Sequence, residues 1–271
     1  MNEATRVRLP IRLWAAVAAL LLIAPTLMVV PLSFTSKRSF SLQLEGWSLQ
    51  WYEKFFTDPQ WLGALGTSLV IGVIVGVSAT LLGTLAAYGL KSLRARVSGP
   101  LQVMMMLPIL IPGIVAAIAI FGMYLRWNLS GSSLGLILAH ITLALPFVLI
   151  PVSTAMRGLD DTLTRAASVL GARPMARFLQ VELPILLPGI ATGFIFAFVT
   201  SLDEVVVAYF LQSPTLRTLP VQMYSSVTRE TDPSIAAAST LLLVLSTLII
   251  LIPRLVQVVN ERRAAKQGDV E

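Results

Sequence analysis

The chain of 271 residues contains no cysteine and a single histidine, His140. The first absence excludes disulfides, thiolate metal ligands and a cysteine nucleophile; the second excludes a metal site built from several imidazoles of this chain. Charge is also scarce. Asp, Glu, Lys and Arg make up 13% of the residues against 56% hydrophobic ones, and the mean hydropathy is +0.80. That balance belongs to an integral membrane protein, and the chain reads as one bundle over residues 1–271. No Gly-rich loop ending in Lys-Ser/Thr is present, so the chain does not by itself cradle ATP phosphates. No nucleophile elbow accompanies His140, and the only acids within apolar runs, Asp203 and Glu204, are adjacent. Adjacent acids do not suit a catalytic pair acting across a peptide bond. Neither a catalytic residue nor a metal site is expected.

Six apolar runs are long enough to cross a hydrocarbon core of about 30 Å. They cover approximately 13–34, 61–90, 101–125, 134–156, 185–211 and 235–259, an all-α membrane fold of six transmembrane helices. The first is longer than a signal-peptide core and no small-x-small site closes it, so it is read as a retained span. Between the first two runs, Trp47, Trp51, Tyr52, Phe55 and Phe56 suit a membrane–water interface, as either a short helix over 48–57 or a simple loop with anchoring aromatics. Gly72 and Gly76 form a GxxxG pattern that favours close approach of helix backbones. Pro108 and Pro112 interrupt the third run, and Pro146 and Pro151 lie within the fourth. Residues 127–133 read as a tight turn with Gly131, and 212–234 as a polar loop.

The net charge of +6 and pI near 10.1 are explained by where the basic residues fall. With six spans both termini share one side, which carries fourteen Lys and Arg against six on the other. The positive-inside rule then puts the termini and the segment 157–184 on the cytoplasmic side of a membrane protein that contacts lipid, and explains the high pI without a nucleic-acid partner.

The segment from Asp160 to Pro188 carries charges of both signs between two apolar runs and reads as a helical elbow. Asp160 is placed to cap a first helix, Gly171 to end it in the left-handed region, and Pro174 to open a second. Pro184 and Pro188 mark the return to the membrane. Within it stand Arg165-Ala166-Ala167, three residues, Gly171, nine residues, and Val181-Glu182-Leu183-Pro184. This resembles the Glu-Ala-Ala…Gly…Ile-x-Leu-Pro motif of permease subunits of type I bacterial ABC importers, with matching spacing. Arg165 replaces the motif's Glu and Val181 its Ile, so a salt bridge made by that Glu is not carried over. The resemblance implies that Arg165, Ala166, Ala167, Gly171, Val181, Leu183 and Pro184 form a coupling element docking on an ATPase subunit.

Asp203 and Glu204 are costly within a span, about 2.5–3.5 kcal/mol each on insertion scales, and suggest a protein interior or water-lined cavity. About 100° apart on a helix, they do not share a face; Thr200 lies one turn back, within reach of either. These three are the candidate pathway residues, with a structural or merely solvated role as the plain alternative. His140 reads as a helix–helix hydrogen-bonding residue, and Met104-Met105-Met106 as flexible packing.

Ser201-Leu202-Asp203-Glu204-Val205-Val206-Val207-Ala208-Tyr209-Phe210, then Thr218-Leu219-Pro220 and Met223-Tyr224-Ser225-Ser226-Val227, resemble the second permeases of spermidine/putrescine importers. Permeases for opines, 4-aminobutyrate, aminoethylphosphonate or ferric iron share parts of this likeness. The resemblance implies a complex with a different second permease, two ATPase subunits that hold ATP and magnesium, and a periplasmic solute-binding protein, working by alternating access. The rival reading is an autonomous secondary transporter or channel, which has no need of such an elbow.

Overall fold

The computed structural model describes the backbone of residues 3–37, 46–229 and 233–268, and the side chains of 11–37, 46–160, 162–228 and 233–251. The described residues are almost wholly helical, with isolated bridges at Thr35–Trp47 and Ser213–Leu216. In order the helices are α1 (Glu3–Ser33), α2 (Gln50–Thr57), α3 (Pro59–Ser92), α4 (Ala95–Leu110), α5 (Gly113–Arg126), α6 (Ser133–Arg157), α7 (Asp161–Val169) and α8 (Pro174–Arg177). After a wide π turn over Phe178–Glu182 come α9 (Leu183–Asp203), α10 (Val206–Leu211), α11 (Leu219–Arg229) and α12 (Ser234–Gly268). Five stretches are long and apolar enough to cross a membrane: Ile11–Ser33, Pro59–Ser92, Ser133–Arg157, Pro174–Asp203 and Ser234–Leu251. A sixth is reached if α4 and α5, bent by 101° at their junction, count as one broken span.

That bend falls at Pro112, one of the two prolines that interrupt the third apolar run. Ile111 precedes Pro112, whose ring disfavours helical backbone in the residue before it, and Ile111 is extended at φ −82°, ψ 128°. Pro108, Pro146 and Pro151 are instead absorbed inside helices. The fifth span differs from the expected one: α9 stops at Asp203, and Glu204 is extended at φ −73°, ψ 116°.

The chain divides into two compact units, Met1–Leu62 with Met223–Glu271, and Gly63–Gln222. In the first, α1 and α2 pack against α12. The Trp51 indole N–H donates to the Thr35 carbonyl at 2.7 Å, and the Ser33 and Tyr52 hydroxyls meet at 2.7 Å. Trp51 and Phe55 are buried while Trp47 and Phe56 are exposed, so the aromatic cluster is partly core and only partly surface anchor.

In the second unit the main contact is α6 on α9. Gly189 and Gly193 allow it: a Cβ on the first would lie 3.0 Å from the Pro151 carbonyl oxygen, and on the second 3.3 Å from Val148 Cα. The expected GxxxG pair works differently. A Cβ on Gly72 would meet the Phe198 ring at 3.0 Å and one on Gly76 the Phe194 ring at 2.9 Å, so these glycines seat α9 aromatic rings rather than another backbone. The turn after α5 has Asn128 at φ 55° and Gly131 at φ 73°, and Ser132 caps α6 by accepting from Gly135 N–H at 3.0 Å. Within the expected polar loop 212–234, Leu219–Arg229 forms α11. The Leu219 amide donates to Ser68 Oγ at 2.7 Å and Leu219 is fully buried, which fixes the start of α11.

Candidate functional site

The elbow begins at the residue whose chemistry suits a helix start. Asp160 Oδ1 accepts from the Thr162 hydroxyl at 2.6 Å and the Thr162 amide at 2.8 Å. Those two donors, the hydroxyl foremost, hold the Asp160 carboxyl below the usual range, so it is charged where the positive end of α7 favours an anion. At the other end, Gly171 N–H donates to Ser168 O at 3.1 Å and Ala172 N–H to Ala167 O at 3.0 Å. This is a Schellman closure with Gly171 at φ +79°.

Between those caps α7 faces outward. Arg165, Ala166 and Gly171 are exposed and Ala167 half-buried. Beside them Val169 is 86% and Leu170 87% exposed, and Met175 and Leu163 are also uncovered. Alanines leave a smooth surface, and the uncovered Val169 and Leu170 at the end of α7, outside the candidate spans, are the chemistry of an unfilled contact.

The second half of the elbow corrects the expected boundary at Pro184. Pro174 opens α8 as foreseen, but the helix continues without a stop through the π turn into α9, one helical stretch over Pro174–Asp203. The Leu183 amide reaches back to Phe178 O, five residues away. Widening the turn just before Pro184 relieves the crowding its ring would cause against the carbonyl four residues earlier. Val181 and Leu183 are half-buried and Pro184 exposed.

The same turn brings together three residues whose places in the sequence give no sign of a joint role. Arg177 Nε donates to Glu182 Oε1 at 2.9 Å, and the Tyr88 hydroxyl of α3 donates to Glu182 Oε2 at 2.8 Å. Arg177 also donates through a terminal nitrogen to Ser168 Oγ of α7 at 3.2 Å, and the Tyr88 and Phe178 rings meet edge to face at 5.6 Å. Glu182 is 6% exposed. Residues five apart point about 140° away from each other on an α-helix, which hides Arg177 and Glu182 as a pair. Tyr88 lies 94 positions from its partner and has no local signal at all.

The pathway residues are not brought together. Asp203 ends α9 with an exposed side chain, while Glu204 Oε1 turns to accept from the Val207 amide at 2.8 Å in the first turn of α10. No hydrogen bond joins half-buried Thr200 to either acid among the described residues. His140 is buried, with Nδ1 2.9 Å from Ser201 Oγ of α9, a helix–helix bond as expected. Among the described residues no group of three or more His, Asp or Glu is placed to hold a metal.

Residues 79–266 match the family described as binding-protein-dependent transport system inner membrane component. The chain is 34% identical over 254 residues to the putrescine transport system permease protein PotI of Escherichia coli (strain K12), covering 90% of this chain and 89% of that one. It is 33% identical over 251 residues to the spermidine/putrescine transport system permease protein PotC of the same strain, covering 91% and 92%. Its fold is similar to a chain in the crystal structure of a bacterial ABC transporter involved in the import of the acidic polysaccharide alginate, with a TM-score of 0.68 over 95% of this chain and 98% of that one, at 15% identity.

Proposed function

Because this chain belongs to the binding-protein-dependent transport system inner membrane components, it is the membrane permease of an ABC importer, and we propose that its cargo is a polyamine, putrescine or spermidine. The observation that carries the cargo is the identity of 34% and 33% to PotI and PotC over nine-tenths of the chain. Residues 1–271 then act as one permease domain beside a second, different permease, with two ATPase subunits and a periplasmic binding protein. The termini and elbow face the cytoplasm, in keeping with the excess of basic residues there.

In this reading α7 docks in a groove of the ATPase through Ala166, Ala167, Val169 and Leu170. Gly171 sets the angle of the chain behind it, and Val181, Leu183 and Pro184 carry motion into α9. Arg165, a surface cation where the motif has Glu, calls for an acid on the ATPase. Asp203 is the group available to a passing ammonium, whereas Glu204 is occupied in capping α10.

The test is reconstitution of the permease pair with its ATPase and binding protein in proteoliposomes. ATP-dependent accumulation of labelled putrescine or spermidine is expected. Accumulation of an amino acid, a phosphonate or ferric iron, with none of a polyamine, overturns the cargo but not the family.

A further inference from the structure

We propose that Tyr88, Arg177 and Glu182 form a strut that makes the elbow and the cytoplasmic end of α3 move as one body, and that this strut sets how much transport each hydrolysed ATP yields. The inference rests on the reading of the chain as an ATP-driven importer and adds positioning residues that lie outside the motif's fixed letters.

The geometry is that of a joint. Each carboxylate oxygen of Glu182 has its own donor: Oε1 takes Arg177 Nε at 2.9 Å and Oε2 takes the Tyr88 hydroxyl at 2.8 Å. Arg177 extends the chain to Ser168 Oγ on α7 at 3.2 Å. Helices α7 and α8 are thus linked through one buried carboxylate to α3. Charge-assisted bonds of this kind are about twice as strong as neutral ones, and a buried carboxylate robbed of one donor keeps its desolvation cost. The strut therefore resists being opened one bond at a time.

Its place in the helix matters equally. The π turn over Phe178–Glu182 lies inside a continuous helical stretch and replaces its i→i−4 ladder with a longer reach, here Leu183 N–H to Phe178 O. Such turns yield more readily than regular helix, and they recur at functional sites. Left alone, a push on α7 and α8 would be dissipated there instead of reaching α9 and the bundle. Phe178 on one side of the turn packs on the Tyr88 ring, and Glu182 on the other is bonded to the Tyr88 hydroxyl. Tyr88 therefore braces both ends of the weak point. The strut borders an open cleft, also lined by Lys91 and Thr164, which leaves room for the elbow to move with α3.

Two variants test this. Tyr88→Phe keeps the ring contact and the ion pair but removes the α3 bond; Glu182→Gln keeps the shape and removes the charge. In proteoliposomes holding the complete transporter, we expect both to hydrolyse ATP while solute imported per ATP falls about tenfold, the effect of losing one bond to a charged group. A structural role alone would lower hydrolysis and import in proportion. Hydrogen exchange of the permease in nanodiscs supplies a readout independent of cargo. Tyr88→Phe should speed exchange of amides in 161–183 and leave 134–150 unchanged. Unchanged exchange in both variants overturns the strut whatever the cargo. Faster exchange with a wild-type ratio, or a proportional fall in both activities, overturns its part in coupling. A wild-type complex that hydrolyses ATP without importing any polyamine counts against the cargo, while the exchange result still decides the strut.

Discussion

His140 Nδ1 and Ser201 Oγ meet at 2.9 Å, and this bond crosses the contact between α6 and α9, the two helices whose backbones are drawn close at Gly189 and Gly193. The other ring nitrogen, Nε2, is buried and has no hydrogen-bond partner among the described residues. The imidazole thus depends on one hydroxyl for its polar satisfaction.

Ser201→Ala should therefore cost more than the loss of a small polar side chain suggests. It strands both ring nitrogens in a buried interface, and a buried polar group left unpaired costs about 1–3 kcal/mol. Combining it with His140→Leu removes the orphan together with its partner, and the double variant should recover most of the lost stability. Thermal denaturation of the purified permease in detergent measures both. A Ser201→Ala protein that melts with the wild type would mean that the bond contributes nothing to holding the helices together.

Gly171 supplies a cleaner substitution. A Cβ there would meet nothing within 4 Å, so any penalty comes from its φ of +79° and not from packing. Gly171→Val should destabilise the end of α7 by about 1–2 kcal/mol, and Gly171→Asn by clearly less, since Asn enters the left-handed region more readily. ATP-driven uptake should follow the order Gly, Asn, Val while all three proteins insert equally. Equal uptake by all three would remove Gly171 from the coupling element.

These two sites show what a single chain discloses. Turn chemistry is local, so Asp160, Gly171 and Pro174 announce the elbow by residue type and spacing alone, and their hydrogen bonds and dihedral angle agree. Hydrophobic runs disclose the spans for the same reason. Pro112 signals a break, yet the 101° angle depends on where α5 finds partners, Phe121 on Phe210 among them, and that is tertiary information. The helix end at Asp203 carries no Pro or Gly and is invisible in an apolar run; the Glu204 bond to the Val207 amide, which accompanies the break, is seen only in the structure. The Tyr88–Glu182 contact is harder still, joining residues 94 apart through a helix of non-standard pitch.

The proposed orientation rests on charge alone and can be checked without a transport assay. The chain has no cysteine, so single cysteines report without background. Cysteines at Ser92 and Thr162, both exposed at ends of helices near the elbow, should react with an impermeant maleimide only after the cytoplasmic face is opened. A cysteine at exposed Thr215, beyond α10, should react in intact cells whose outer membrane is permeabilised. Reaction at Thr162 from outside would invert the topology and remove the elbow from the side where ATP is found.

The last prediction separates the two neighbouring acids by their surroundings. Asp203 is exposed where α9 ends; if the proposed pathway passes it, a fixed carboxylate there would offset part of the hydration that a protonated amine sheds as it crosses. Glu204 spends one oxygen on the Val207 amide and serves α10 as a cap. Asp203→Asn keeps size and hydrogen bonding and removes only charge, so polyamine uptake should fall with the melting temperature unchanged. Glu204→Gln retains a carbonyl oxygen for the Val207 amide and should stay near wild type in both measurements. Glu204→Ala loses the acceptor and should melt earlier, by about 1 kcal/mol, the usual cost of removing a helix cap. The comparison with an uncharged cargo is the deciding one. If Asp203→Asn lowers the import of charged and neutral solutes alike, the carboxylate is shaping the end of α9 and not meeting the cargo. If it spares a neutral solute and slows the polyamine, the charge acts on the cargo directly.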